Sequence, residues 1–262
     1  MIQLEQIKEY FPPYLRENPS FKKYMIKEYI QLLILDYLSS TKWAAKLTFI
    51  GGTYLRLANG IDRFSEDIDF DCKNLSEEEF YLMTDNILQY LTRFGFKVET
   101  KQKFDSKLKA FRRSIYFPGL LFELGLSAYK EERFLIKVEC QDQLFNYSPV
   151  AVNIKGCGFY FSFPAPDNKV LCAMKISALL SRSKGRDFYD VMFLLSVSPP
   201  DFAFLKAKHD ISNMTELKKH LFDVLSKVDL SHKSKDFEHL LFEKRNSSKI
   251  LSFGQFVKDL KI

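Results

Sequence analysis

Apolar residues return along this chain at two periods, and the change of period marks its organisation. Over residues 24–38 they recur at helical spacing, at Ile26, Ile30, Leu33, Ile34 and Tyr37, which predicts a helix with one apolar stripe. Residues 1–40 as a whole read as helices interrupted at Pro12-Pro13. A short apolar run from Leu47 to Ile50 reads as a buried strand. Ser76 and Glu79 form a capping box, which opens a helix running to about Arg93, and Gly95 closes it. Between Phe96 and Phe163 the pattern turns to strands, with candidates at 96–103, 111–117, 120–126, 134–141 and 159–163. Pro164 and Pro166 end that region. Asp167 is the N-cap of a further helix, whose apolar face carries Leu171, Met174 and Ala178. The rest is helix-like, near 213–228, 234–244 and 252–260. The order predicts an α/β (α+β) fold: a small mixed sheet with flanking helices in residues 1–197, and an α-helical bundle in 198–262.

Composition narrows the class. Of 262 residues 46% are hydrophobic, with 26 Phe and 13 Tyr, so the chain can build a full core. A net charge of +6 fits a phosphate-bearing substrate. The four cysteines, at 72, 140, 157 and 172, form no Cys-x-x-Cys pair, and there are four histidines, which argues against zinc and against a disulfide framework. Cys140 and Cys172 sit in apolar segments and read as core. The N-terminus carries Glu5, Lys8 and Glu9 and does not read as a signal peptide. No apolar run approaches the roughly 20 residues that span a bilayer. A cytoplasmic protein is expected.

Candidate chemistry centres on residues 47–71. After the Leu47–Ile50 strand come Gly51 and Gly52, which let the backbone turn sharply and lie close to a ligand. Thr53 is placed to cap the helix that follows, leaving backbone N–H groups to face an anion. A second strand carries Asp67, Ile68, Asp69, Phe70 and Asp71. Alternation puts Asp67, Asp69 and Asp71 on one face, with neighbouring carboxylates roughly 6 to 7 Å apart, and Ile68 and Phe70 on the other. Crowded carboxylates call for a counterion, and hard oxygen ligands suit Mg²⁺ or Mn²⁺. A third carboxylate from a neighbouring strand would complete such a site. Glu139 is the candidate, on the polar face of the 134–141 strand, and Glu123 is the rival.

Two further stretches carry charge. Residues 97–113 hold Lys97, Lys101, Lys103, Lys107, Lys109, Arg112 and Arg113, with Phe104 and Phe111 interleaved. Such a stretch can hold backbone phosphates and stack bases, or simply protect a sheet edge. Later, Lys175 borders the apolar face of its helix, and Arg182 lies two turns beyond. Arg186 and Asp190 are four apart, and Asp187 and Asp190 three apart, so each pair would meet on a helix.

The glycine pair followed by Asp-apolar-Asp resembles the nucleotidyltransferase superfamily of DNA polymerase β. More narrowly, Gly51-Gly52-Thr53 with Arg63-x-Ser65-x-Asp67-Ile68-Asp69 resembles the AbiEii/AbiGii toxin family of nucleotidyltransferases. Lys175, Arg182 and Arg186-Asp187-x-x-Asp190 resemble the second half of that family's signature. The likeness covers roughly residues 45–197. It implies a nucleotidyltransferase-fold sheet and transfer of a nucleoside monophosphate from a nucleoside triphosphate to an acceptor. It implies that Asp67 and Asp69, with Glu139 if in place, hold Mg²⁺ or Mn²⁺. Gly51, Gly52, Thr53, Arg63, Ser65, Lys175, Arg182 and Arg186 would bind the nucleotide, and Lys175 and Asp190 would be active-site residues. It also implies a toxin–antitoxin or abortive-infection context, with a separate antitoxin and with RNA, such as a tRNA 3′ end, as acceptor. Two other readings stay open: nucleotidyl transfer to a small molecule or a protein, and a nucleic-acid-binding protein with a degenerate site.

Overall fold

The computed structural model describes residues 3–100 and 110–260. Its strands are β1 (Leu47–Ile50), β2 (Ile68–Cys72), β3 (Glu99–Thr100), β4 (Phe111–Tyr116), β5 (Leu135–Gln141), β6 (Val150–Gly156) and β7 (Phe159–Ala165). The first five form one mixed sheet in the order β1-β2-β5-β4-β3. Only β2 and β5 run parallel, and the other neighbours are antiparallel. By packing, the described chain divides into two units. Within the described residues the first comprises 3–60, 64–100, 110–144 and 149–165, and the second 61–63, 145–148 and 166–260.

In the first unit one face of the sheet is apolar because alternate residues of each strand point there. Phe49, Phe70, Ile136, Val138 and Cys140 are all buried. Phe163 of β7 joins them, its ring stacked 5.6 Å from Phe70 and edge-on to Phe49 at 6.1 Å. The helix Lys22–Ser39 has more than the expected stripe inside: every residue from Ile30 to Leu35 is buried. Helix Glu77–Arg93 opens on the expected capping box of Ser76 and Glu79. It closes at Gly95, whose φ of 98° is the left-handed conformation that ends helices.

Two strand expectations change. Residues 120–126 contain a helical turn, Leu120–Glu123, rather than a strand. Gly119 (φ 70°) and Gly125 (φ 67°) bracket it, and both left-handed residues break an extended path. Strand β6 was not expected. It pairs with β7 through Gly156↔Phe159, closed by Cys157 and Gly158, which both have positive φ as a two-residue hairpin turn requires.

The second unit is helical. Asn168–Arg182 begins at Asp167, whose carboxylate accepts from the Val170 N–H at 2.9 Å. Gly185–Leu195 follows after a left-handed turn at Ser183. Gly185 has no room for a side chain, since a Cβ would lie 1.9 Å from the Lys233 carbonyl oxygen. These two helices therefore pack with the C-terminal segments. Phe188 meets Phe253 edge-on at 5.0 Å and Tyr189 meets Phe237 at 5.5 Å, all within the second unit. Helix Met214–Leu225 is found as expected, but 234–244 is not one helix. Asp229 caps a short helix, Leu230–Lys235, a 3₁₀ turn follows at Glu238–Leu240, and Leu241 then extends to bridge Arg63. Phe242 N–H donates to the Asp62 carbonyl, so the backbone hydrogen bonds here run to residues 62 and 63 instead of up a helix. Among the described residues no helix is long and apolar enough to cross a membrane.

Candidate active site

The polar face of the first unit's sheet holds the acidic motif. In β2 the strand begins at Ile68, so Asp67 stands just before it and Asp69 is its second residue. Asp69 pairs across to Ile50 of β1 on one side and to Glu139 of β5 on the other. Glu139 in turn pairs with Arg112 of β4. Directly opposed residues share a face, so Asp69, Glu139 and Arg112 form one row across three strands. Asp71 lies on the same side but is buried, and its carboxylate accepts from the Gln143 N–H at 2.8 Å.

The glycine turn is built around Asp69. Gly51 has φ +84°, and a Cβ on it would fall 2.2 Å from the Asp69 Oδ2. Its lack of a side chain makes room for this carboxylate, as well as serving the turn. The following helix, Gly51–Leu57, already starts at Gly51, with no side-chain cap. Thr53 is therefore inside the helix rather than its N-cap. It is fully buried, and its hydroxyl donates to the carbonyl of Asp67, fixing the approach to β2. Arg56 ties the same helix down, donating to both carboxylate oxygens of buried Glu28 at 2.8 and 3.1 Å. Ser65 is buried, and its carbonyl accepts from the Gln31 amide at 3.2 Å.

The two candidates for third carboxylate lie on different elements. Glu123 sits on the helical turn and accepts from Lys97 at 2.6 Å. Glu139 is Asp69's neighbour in the sheet. Its carboxylate is gripped by Arg112 from two sides, with Nε–Oε1 2.7 Å and Nη2–Oε2 2.9 Å, and Lys137 Nζ stands 3.7 Å from an Asp67 oxygen. Among the described residues no three His, Cys, Asp or Glu side chains close round a single point as metal ligands. The donor set nevertheless suits a hard divalent cation: Asp67 and Asp69 offer oxygens alone, the backbone at Gly51 is shaped to Asp69, and two cations are drawn to the same face.

The second unit holds the other charged group. Asp190 is fully buried. It accepts from Arg63 Nε and Nη2, both at 2.8 Å, and from Lys175 Nζ at 2.8 Å. Burial alone would raise its pKa. Arg63 and then Lys175 outweigh that and hold it down at about 2. Arg63 is only 1% exposed. The expectation that it binds nucleotide is corrected, since its guanidinium is spent on Asp190 inside the protein. Lys175, 7% exposed, is the lysine that Asp190 orients. Asp187 does not join Asp190. It takes both bonds of Arg182, at 2.8 and 3.0 Å, and the Lys184 N–H. Arg186 makes no ion pair among the described residues and is half-buried. Sequence reasoning missed Asp62, which accepts from Tyr189 at 2.6 Å and Asn246 at 2.7 Å. Its only signal was its place beside Arg63.

The decisive comparison is with protein families. The model of the nucleotidyl transferase AbiEii toxin, type IV toxin–antitoxin system, matches residues 33–249. The chain belongs to the AbiEii toxin family. No curated protein matches it in sequence. Among the solved structures that share the fold are two relatives of low identity. The nucleotidyltransferase toxin MenT4 from Mycobacterium tuberculosis is 15% identical with a TM-score of 0.59, over 100% of this chain and 91% of that one. JHP933 from Helicobacter pylori is 19% identical with a TM-score of 0.53, over 90% of each. The match covers both the acidic strand and the Lys175–Asp190 helices of this AbiEii protein, and extends beyond the expected 45–197.

The basic stretch divides differently from its sequence. Residues 101–109, with Lys101, Lys103, Lys107 and Lys109, lie outside the described residues. Of the rest, Lys97 is on Glu123 and Arg112 on Glu139. Arg113 points the other way by strand alternation. It is 8% exposed and bonds Thr84 and Asp85 of helix Glu77–Arg93 at 2.7 Å each, which corrects its expected place on an RNA-facing surface.

Proposed function

We propose that this AbiEii protein is a metal-dependent nucleotidyltransferase that moves a nucleoside monophosphate from a nucleoside triphosphate to RNA. The observation that carries the reading is the row Asp69–Glu139, in register across two parallel strands, with Gly51 shaped to Asp69. Asp67 and Asp69 would hold Mg²⁺ or Mn²⁺, with Glu139 as the third carboxylate. When bound there, such an ion would supply positive charge for the triphosphate. In the reaction an acceptor hydroxyl oxygen forms a bond to the α-phosphorus, the bond to the pyrophosphate oxygen breaks, and the hydroxyl proton passes to a carboxylate or to water. Gly51 and Gly52 leave the backbone open to phosphate oxygens. Lys175, set in place by Asp190, is read as a cation for the substrate's phosphate charge. Thr53 and Arg63 act as positioning residues, on Asp67 and Asp190 respectively. The acceptor is read as RNA from the family's toxin character and from the net charge of +6. The family's description as a type IV toxin–antitoxin system supports reading a separate antitoxin as a partner.

Binding is testable without knowing the acceptor. Nucleoside triphosphate with Mg²⁺ is expected to raise the melting temperature by several degrees, because a ligand at 100 times its Kd adds about 2.7 kcal/mol to the folded state. Triphosphate with EDTA should give little shift. An equal shift without the metal would contradict the reading.

A further inference from the structure

Arg112 has no part in the reaction described above, yet it occupies the row that carries the carboxylates. It reaches Glu139 from the next strand and holds both oxygens, the two-toothed geometry in which a guanidinium grips a carboxylate best. It stands in the same cross-strand row as Asp69, with Glu139 between them. The pair is not sealed in: the Arg112 side chain is 44% exposed and that of Glu139 21%. A grip at this depth is worth little enough to be exchanged. Glu139 is in register with Asp69, but among the described residues no three such side chains close as a ligand set. The carboxylate that would complete the set is the one Arg112 holds.

We infer that Arg112 is a latch on the metal site: it holds Glu139 while no divalent ion is bound and yields it when one enters. This rests on the metal-site reading of Asp67 and Asp69. Arg112 then sets metal affinity by competition for one carboxylate, as a positioning residue rather than a catalytic one. It also explains how a cluster of three carboxylates stays tolerable in the folded protein before the ion arrives, with Lys137 near Asp67 serving the same end more loosely.

The test is Mn²⁺ binding, alone and without nucleotide, measured by calorimetry at 0.15 M salt so that long-range charge effects are screened. Wild type, Arg112→Gln, Glu139→Gln, the double variant, and an Asp67→Asn/Asp69→Asn control are compared. Arg112→Gln is expected to tighten Mn²⁺ about fivefold, the scale of one half-exposed ion pair, and Glu139→Gln to weaken it. In the Glu139→Gln background, Arg112→Gln should change affinity by no more than about twofold, since the latch has nothing left to hold. Should Arg112→Gln lose its folded circular-dichroism spectrum, Arg112→Lys, which keeps the charge without the planar fork, is used in its place. Equal gains in both backgrounds would make Arg112 a nearby charge only and overturn the latch, as would unchanged or weaker binding in Arg112→Gln. Absence of Mn²⁺ binding in wild type, or binding unaffected in the Asp67/Asp69 control, would instead overturn the metal-site reading and the latch with it.

Discussion

Asp69→Asn is expected to lower nucleotidyl transfer by about 10³-fold or more while the protein stays folded. The magnitude follows from losing a preorganised charge where the reaction develops its own. Asp69 is the centre of the polar row, with Glu139 in register beside it and Gly51 shaped against its carboxylate. Asparagine keeps the size, so the Gly51 turn has no cause to move. Removing one of several like charges relieves repulsion in the metal-free protein, so the melting temperature should hold or rise. Turnover and thermal melting, measured on the same preparation, check both halves. An Asp69→Asn protein that melts early would make the residue structural, and one with near wild-type turnover would remove it from the site.

Asp190→Asn should have the opposite signature, with a loss of about 3–5 kcal/mol in stability. That is the cost of removing one partner from a buried ion pair. Arg63 and Lys175 share this carboxylate, and all three groups are buried. The pH dependence follows with a definite sign. Asp190 titrates at about 2 in the folded protein against 3.8 for an ordinary aspartate. A depressed carboxyl contributes its stability above the unfolded value, and that contribution is lost as pH falls from about 4 through about 2. Wild type should therefore lose a large part of its margin over Asp190→Asn within that window. Denaturant melts of both proteins at pH 7 and at steps below pH 4 check this, and a margin that persists unchanged through the window would show that the ion pair is not its source.

The acidic row of the candidate site was legible because strands alternate strictly. Asp67-x-Asp69 after a glycine turn and Glu139 on a polar strand face are local patterns that alternation reveals, whereas the pairing that sets Asp69 in register with Glu139 is long-range. Alternation also separates Arg112 from Arg113, although their shared basic charge drew both into one expected surface. Arg63 was misread because its partner lies 127 residues along the chain, and nothing local distinguishes a buried guanidinium from one facing a ligand. Glu123 was a rival only while 120–126 read as a strand, and the flanking glycines, visible in the sequence, were the signal against that. Helical spacing correctly opened the helix at Asp167, but it could not say with which unit the helix packs. The close approach of Gly185 to Lys233, which helps to decide that, is a long-range fact.

The central claim is tested most directly by incubating the protein with each labelled nucleoside triphosphate and total cellular RNA in Mg²⁺, with small metabolites and protein as parallel acceptors. The expected result is label joined covalently to RNA by wild type, abolished by EDTA and absent from the Asp67→Asn/Asp69→Asn protein. Label transferred equally by wild type and that double variant, or transferred by neither to any acceptor, would contradict it.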